Sequence, residues 1–330
     1  MEEHNQNYLP VFQEDYIEDG LFFKDKEEMP KHSFVILNQP KDLFEEPVLK
    51  EAQIISLDKI HNYSNMFIAV HPFIMHGYRV HHGFKDCIIS IFKLHNETFN
   101  IWSHLVSFIA FLVMAIIMLS NMNSKTGDTA MIAIYMVSSM NCFICSSIYH
   151  TYNSHSHKVA NCVFKIDLFG IIMQLGCAAI ASQHFMFHEF DHIRNIYFAI
   201  FVTICVMILI FMNIPFFMHA KFDGVRVFLL CSLFLLAFFC CVHWAAVAKI
   251  EEVEMLTLYI YMAWGFMFTG FFFYFSKFPE CQFQNYYVDI YLQSHTIWHW
   301  CVFLCALSYF LFMFKYNQHY GWRLQLGYLP

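Results

Sequence analysis

The chain has 330 residues, of which 58% are hydrophobic, 19% aromatic and only 14% charged. This composition excludes a water-soluble domain, because such domains carry about 25% charged residues and need far less apolar surface. The formal net charge is −7, and we expect a membrane protein with no nucleic-acid partner.

The first 60 residues carry most of the negative charge. They contain 14 acidic and 6 basic residues, a net charge of −8, whereas the rest of the chain sums to +1. Prolines recur in this segment and no helical or strand periodicity is visible, which is typical of a flexible tail. We therefore predict that residues 1–60 form an acidic, flexible cytoplasmic tail. Its stretch VFQEDYIEDGLFF, residues 11–23, is a candidate docking site for a cytoplasmic signalling protein.

Residues 61–100 are expected to form a juxtamembrane segment. Between residues 84 and 95 the apolar side chains recur at helical spacing, while the charged ones lie on another face. The apolar positions are Phe84, Cys87, Ile88, Ile91 and Phe92. This pattern predicts a short amphipathic helix that lies on the membrane surface and leads into the first membrane span.

Seven stretches are apolar over the roughly 20 residues that cross a hydrocarbon core of about 30 Å. They cover residues 101–120, 130–149, 166–186, 194–216, 226–248, 255–275 and 295–314. The sequence thus predicts an all-α integral membrane protein, with a seven-helix transmembrane domain over residues 101–316 and a short C-terminal tail at 317–330.

The orientation follows from the Lys and Arg residues in the short flanks. From Arg79 onward, eight of these bases lie on the same side as the N-terminus and five lie on the opposite side. Basic loops tend to stay in the cytoplasm. We therefore predict a cytoplasmic N-terminus and an external or lumenal C-terminus.

Two histidines lie one helical turn apart at the start of the seventh span, in LQSHTIWHW, residues 292–300. His295 and His299 share a helix face with Cβ atoms about 5–6 Å apart, which lets two imidazoles bind one metal ion. The end of span two and the starts of spans three and seven lie at one membrane face in either orientation. That face also receives His150 and Ser146 from span two and Asp167 from span three.

Three imidazoles with an open fourth position form the arrangement of catalytic zinc, which brings bound water to a pKa near about 7. On this interpretation His150, His295 and His299 bind Zn²⁺, while Asp167 and Ser146 hold or deprotonate the water. Ionisable groups at membrane depth are costly, which favours a functional role. The sequence leaves other roles open: interfacial anchors for the two histidines of span seven, a helix N-cap for Asp167, and a backbone hydrogen bond for Ser146.

A second motif, HEFDH at residues 188–192, lies towards the other membrane face, with His184 one turn upstream. It matches the HExxH motif of zinc proteases, whose two histidines lie on one continuous helix. Here the motif runs from the end of span three into the link to span four, so we predict that the helix breaks within it. An intramembrane metalloprotease built on this motif is one functional alternative that the sequence leaves open.

Several motifs resemble the signature of the progestin and adipoQ receptor (PAQR) family. They are LHNETFNIWSHL at 94–105, GYR at 77–79, SxxxH at 146–150, Asp167 followed by Gly170 and Ile171, SKFPE at 276–280, and SH and WH at 294–295 and 298–299. The resemblance covers residues 75–315. It implies a seven-helix protein with a cytoplasmic N-terminus and a zinc ion near the cytoplasmic surface. The implied ligands are His150, His295 and His299, with Ser146 and Asp167 reaching the zinc-bound water.

The resemblance implies a signalling receptor or a Golgi tether that regulates a kinase cascade. NETFNIWSHL, SKFPE and SHTIWHW are most similar to the Golgi branch that traps Raf kinase, whereas His95 departs from that branch towards steroid-responsive members. The alternative is a ceramidase-like lipid amide hydrolase, in which zinc-bound hydroxide attacks the amide and Asp167 takes the proton. The expected partner is therefore a membrane lipid, either a sphingolipid or a fatty acid, or a signalling protein bound by the N-terminal tail. The sequence leaves open whether the chain is an enzyme and whether it resides in the Golgi or the plasma membrane.

Overall fold

The computed structural model describes residues 51–59, 69–71, 73–121, 126–218 and 220–325, together with three two-residue strands nearer the N-terminus. Those strands are β1 (Gln13–Glu14), β2 (Leu21–Phe22) and β3 (Val35–Ile36), and β1 pairs with β2. Most of the predicted acidic tail, including the greater part of the docking candidate at 11–23, lies outside the described residues.

Seven helices in the described part of the chain are long and apolar enough to cross a membrane. They are α2 (Thr98–Asn121), α3 (Thr126–Tyr152), α4 (His157–Met186), α5 (Asp191–Asn213), α6 (Asp223–Val247), α7 (Ile250–Ser276) and α9 (Ser294–Gln325). Two short helices, α1 (Phe84–Ser90) and α8 (Tyr286–Tyr291), precede α2 and α9, and the 3-10 turns Pro215–Met218 and Ala220–Phe222 follow α5. The prediction of an all-α protein with seven transmembrane helices is confirmed, and the side of the N-terminus stays a prediction.

Helix α4 begins nine residues before the predicted third span. Ser156 caps it, because the Ser156 Oγ accepts the backbone N–H of Val159. The residues between Ser156 and the predicted span are helical. Several of them are polar, so they add little to the apolar length from which the span was predicted. Asp167 consequently lies about three turns into α4, which excludes its alternative role as an N-cap.

Two glycines let the helices of the site pack closely. A Cβ added at Gly170 of α4 would lie 3.0 Å from the Cys145 Cβ of α3. A Cβ added at Gly270 of α7 would lie 2.9 Å from both the Cys301 Cβ and the Trp298 ring of α9. Small residues at helix crossings allow such close approach in membranes. The pairs α3 with α4 and α7 with α9 thereby bring their polar ends towards one another.

The described part of the segment before α2 contains paired strands and the short helix α1, which packs against α3. Strand β4 (Gln53–Ile55) pairs antiparallel with β6 (Tyr78–Val80), and β5 (Ala69–Val70) pairs with β3. β4 lies within the 1–60 segment predicted to be a flexible tail. In α1, Phe84 is 56% exposed and Ile88 is 50% exposed. This helix therefore presents an apolar face, and its place on a membrane surface stays a prediction.

Candidate metal centre

Three imidazoles from two helices meet at one end of the bundle. His150 lies in the last turn of α3, and His295 and His299 lie one turn apart at the start of α9. The Nε2 of His295 is 3.3 Å from the Nε2 of His150 and 3.1 Å from that of His299. The ligand atoms of all three lie within 4.8 Å of one another. His299 is buried, which excludes the alternative role as an anchor at the membrane interface for this residue.

Hydrogen bonds at the Nδ1 atoms determine which nitrogens are free. The Nδ1 of His150 lies 2.7 Å from Glu97 Oε2, and because an ionised carboxylate only accepts, Nδ1 donates. The Nδ1 of His299 lies 3.0 Å from Ser103 Oγ, whose own proton goes to the carbonyl of Asn100. This Nδ1 therefore also donates. Both imidazoles are left with a lone pair on Nε2, directed at the cluster.

The cluster of Nε2 atoms fits a divalent metal ion. Lone pairs that face one another at 3.1–3.3 Å repel unless a proton or a cation lies between them. Zn–N bonds of about 2.0–2.1 Å in a tetrahedral site place neighbouring nitrogens roughly 3.3–3.4 Å apart. Imidazole also suits copper, iron and nickel. The geometry therefore fits a metal site without selecting zinc among these metals.

Glu97, to which the sequence assigned no role, joins the site to two helices. Besides His150 it accepts hydrogen bonds from the side-chain amides of Asn100 at 2.7 Å and Asn153 at 2.9 Å. Burial raises the pKa of Glu97, but the hydrogen bonds from His150 and Asn100 and the charge of Arg79 outweigh burial and hold the pKa well below its usual range. Glu97 is thus an ionised acceptor that fixes the orientation of the His150 ring, as the carboxylate partners of metal-binding histidines do.

Arg79 holds the end of α3 in place. Its guanidinium is buried and donates to the carbonyls of His150 at 2.6 Å and Thr151 at 2.9 Å, and to Asn153 Oδ1 at 2.8 Å. The last carbonyls of a helix lack partners within the helix and carry partial negative charge, so a cation satisfies them well. The GYR motif noted in the sequence therefore supports the backbone of a predicted ligand.

Asp167 and Ser146 lie at the same end of the bundle as the imidazoles. The Ser146 hydroxyl hydrogen-bonds to the Asp167 carboxylate. Within the part of the chain that the structure describes, the buried Asp167 Oδ1 has no hydrogen-bond partner. A buried carboxylate oxygen without a partner is costly, which indicates that another group, such as water or a ligand, binds there.

A fourth histidine, which sequence reasoning missed, borders the cluster. The ring of His104 lies 3.8 Å from that of His299 and 5.4 Å from that of Phe143, measured between ring centroids. Its Nδ1 is buried without a hydrogen-bond partner among the described residues. The motif NIWSHL contains His104, but spacing along α2 gave no sign that its ring would reach α9.

The start of α9 is fixed by the SKFPE segment. Glu280 accepts the backbone N–H of Ser294 at 2.8 Å and also the Ser294 hydroxyl. The carboxylate thus satisfies free donors at the first turn of α9. This contact positions the backbone one residue before His295.

A cavity of about 310 Å³ extends from the imidazoles into the bundle. Its polar end includes all five predicted site residues, together with Glu97 and His104. Its wall towards the middle of the helices is mainly apolar and includes Phe143, Leu230, Phe234, Met267 and Val302. An apolar pocket that ends in a few convergent polar groups is typical of a small-molecule site.

The HEFDH motif does not form a comparable cluster among the described residues. Helix α4 ends at Met186 and α5 begins at Asp191, so the predicted break within the motif is confirmed. His188 and His192 therefore lie on different elements. His184 pairs instead with Asp128 at 2.8 Å, and Glu189 pairs with Lys249.

Comparisons with known proteins agree with the motifs. The chain matches the family model described as haemolysin-III related over residues 92–310. Progestin and adipoQ receptor family member 3 of Mus musculus is 29% identical over 245 residues, which cover 69% of this chain and 76% of that protein. Heptahelical transmembrane protein 1 of Arabidopsis thaliana is 25% identical over 265 residues, 76% of this chain and 79% of that protein.

Adiponectin receptor protein of Drosophila melanogaster is 23% identical over 259 residues, which cover 76% of this chain and 58% of that protein. The family model matches more than half of the chain. This protein therefore belongs to the haemolysin-III related family, the family of the progestin and adipoQ receptors.

Proposed function

We propose that the protein is a zinc-dependent hydrolase of lipid amides, and that its active site is the cluster of His150, His295 and His299. The observation that carries the proposal is the convergence of three imidazole Nε2 atoms at the polar end of an apolar cavity. Three neutral nitrogens with an open position are the donor set of catalytic zinc. When bound there, zinc would lower the pKa of water and polarise a carbonyl group.

The residues around the cluster have distinct parts in this proposal. His150, His295 and His299 would hold the ion, and Glu97 and Ser103 orient two of their rings. Asp167 accepts the proton of the attacking water through Oδ1, the oxygen that lacks a partner in the described chain. Ser146 orients this carboxylate through its hydrogen bond.

The rest of the cavity supports a lipid as the substrate. Its apolar wall runs away from the imidazoles along several membrane helices. An acyl chain in this space would leave the amide group at the polar end, next to Asp167. Burial of the acyl chain also excludes bulk water, which strengthens the electrostatic interactions of the site.

The test is a combined metal and turnover measurement on the purified, full-length chain. We expect one zinc per chain and release of fatty acid from ceramide or from ceramide phosphorylated at its headgroup. Asp167→Ala should retain zinc and lose at least a hundredfold in turnover, as expected for a general base. A zinc-loaded protein without turnover on any sphingolipid amide would exclude the hydrolase.

A signalling receptor or tether is the second candidate function. The observation that favours it is that relatives over most of this chain are named as receptors. On this proposal the N-terminal tail recruits a cytoplasmic signalling protein at the Golgi or the plasma membrane, and zinc stabilises the junction of α3 and α9. Deletion of residues 1–50 should abolish recruitment of the partner while zinc content stays unchanged, whereas recruitment that survives the deletion would exclude the tail as the docking segment.

A further inference from the structure

We propose that Lys277 is an anion-binding group of the cavity and that the lipid bound there carries a phosphate headgroup. This inference rests on the proposed function, because it names the class of lipid on which the metal centre acts. It concerns a side chain that forms no hydrogen bond with the three imidazoles among the described residues, although its charge acts on His295.

Lys277 lies at the polar end of the cavity. It is the residue directly after α7, is 7% exposed and lines the cavity wall. Its Nζ lies 4.3 Å from the ring centroid of Tyr274, whose ring lies 6.2 Å from that of His295. A group bound at this ammonium is therefore close enough to belong to the same lipid molecule as an amide at the imidazoles.

The ammonium of Lys277 has no hydrogen-bond acceptor in the part of the chain that the structure describes. Glu280 acts on its charge, but both oxygens of that carboxylate accept hydrogen bonds from Ser294. The contact with the Tyr274 ring compensates only part of the hydration that the Lys277 ammonium loses on burial. Burial lowers the pKa of Lys277 to about 8, against the opposing influence of Glu280. An anion in the cavity would supply the missing acceptor and stabilise the charged form.

The backbone of Lys277 gives an independent indication. Its φ of 55° and ψ of 23° lie in the left-handed region. Helices that end in this conformation ordinarily use glycine or asparagine, because a Cβ with a longer side chain is unfavourable there. A lysine at this position indicates that its side chain has a role that glycine cannot perform.

The charge balance of the cavity favours a dianion. Its polar end contains two cations, Lys277 and Arg226, and two carboxylates, Glu97 and Asp167. These four charges cancel, so a divalent metal ion with a neutral bound water would leave a net charge of about +2 among the groups that line the cavity. A phosphate monoester carries about −1.5 to −2 at neutral pH and neutralises this excess, whereas a carboxylate neutralises only half of it.

The test compares three single-chain probes that lack an amide and therefore cannot be hydrolysed as substrates: dodecyl phosphate, dodecanoate and dodecanol. Binding to the full-length, zinc-loaded protein is measured in a neutral detergent by tryptophan fluorescence, because Trp298 lines the cavity. We expect dodecyl phosphate to bind at least tenfold more tightly than the other two probes. Lys277→Met should reduce this ratio to near one, and Lys277→Arg should retain it. Lys85→Met is the matched control, because Lys85 is exposed on α1 and does not line the cavity.

The inference is overturned if dodecanoate binds as tightly as dodecyl phosphate, or if Lys277→Met keeps the preference. Lys277→Gly provides a second variant, because glycine suits the left-handed backbone. It should raise the melting temperature and abolish the preference, even if the methionine variant fails to fold. Failure of the proposed function appears instead as absent zinc or absent amide hydrolysis, and the binding ratio measures neither.

Discussion

The two ends of the helix bundle contain similar residues in different arrangements. At the metal-centre end, His150 pairs with Glu97 at 2.7 Å, and the side chains are 2% and 15% exposed. At the other end, His184 pairs with Asp128 at 2.8 Å, and the side chains are 22% and 27% exposed. A contact between histidine and carboxylate therefore does not by itself make a metal site.

The two ends differ in what surrounds the imidazole nitrogen that does not pair with the carboxylate. At the metal-centre end, the Nε2 atoms of three rings face one another across the junction of α3 and α9. At the HEFDH end, α4 ends at Met186, before His188, and α5 begins at Asp191, while the neighbouring Glu189 pairs with Lys249. Convergence of free nitrogens thus depends on helix ends that meet, and a favourable spacing along the chain is insufficient.

Removal of a ligand should have the largest effect and tests the comparison directly. We expect His299→Ala to weaken Zn²⁺ binding on the order of 10³-fold, because the binding energy of a zinc site is shared among only a few ligands. His188→Ala, at the other end, should leave the affinity unchanged. Competition with a chelator measures both affinities, and equal losses in the two variants would remove the distinction between the two ends.

Removal of the carboxylate behind His150 should have the next largest effect. Glu97→Ala leaves the His150 Nδ1 without its acceptor, and loss of such a partner typically costs about 10–100-fold in metal affinity. Glu97→Gln should recover part of the loss, because its amide oxygen still accepts from Nδ1. Glu189→Ala is the control at the other end. Zinc affinity that is the same in Glu97→Ala and the wild type would contradict the role of Glu97.

Close packing of α3 against α4 gives a prediction for stability. Gly170→Ala places a Cβ 3.0 Å from that of Cys145, and overpacking of this kind costs about 1–3 kcal/mol of the free energy of unfolding. Gly265→Ala is the matched control, because a Cβ there meets nothing within 4 Å. That variant should gain about 0.5–1 kcal/mol from helix propensity. Unfolding in detergent measures both, and two equal shifts would contradict the tight crossing.

The smallest effect concerns pH at the metal-centre end. Burial, reinforced by the charge of Arg79, lowers the pKa of His95 to about 3. The folded pKa lies below the ordinary value of about 6.5, so the unfolded chain takes up a proton first as the pH falls. This contribution to stability is complete above about pH 6.5 and decreases by about 1.4 kcal/mol per pH unit towards pH 3.

His95→Gln isolates this contribution, because a glutamine can donate to the Ser90 carbonyl and accept from the Glu97 N–H as His95 does. The free energy of unfolding of the wild type should fall by about 1.4 kcal/mol more than that of the variant between pH 7 and pH 5.5. Parallel pH profiles for the two proteins would show that His95 is not the titrating group.

The sequence predicted the seven spans, because their apolar length is visible along the chain. It also predicted that three histidines meet, because the number of membrane crossings determines on which face each helix end lies. It misplaced the start of α4, since hydropathy detects the lipid-facing length of a helix and not a polar turn capped by Ser156. It gave no role to Glu97, Arg79 or His104. Their partners lie on other helices or in distant turns, and the spacing of residues along the chain does not predict such contacts.

The central claim is that α3 and α9 together hold a metal ion through three imidazole nitrogens. X-ray absorption spectroscopy at the zinc edge of the purified, full-length protein tests it most directly. We predict one zinc per chain with three nitrogen ligands at about 2.0–2.1 Å, and loss of this spectrum in both His150→Ala and His295→Ala. Sulfur ligands, or a nitrogen shell that persists when His150 is replaced, would contradict the account.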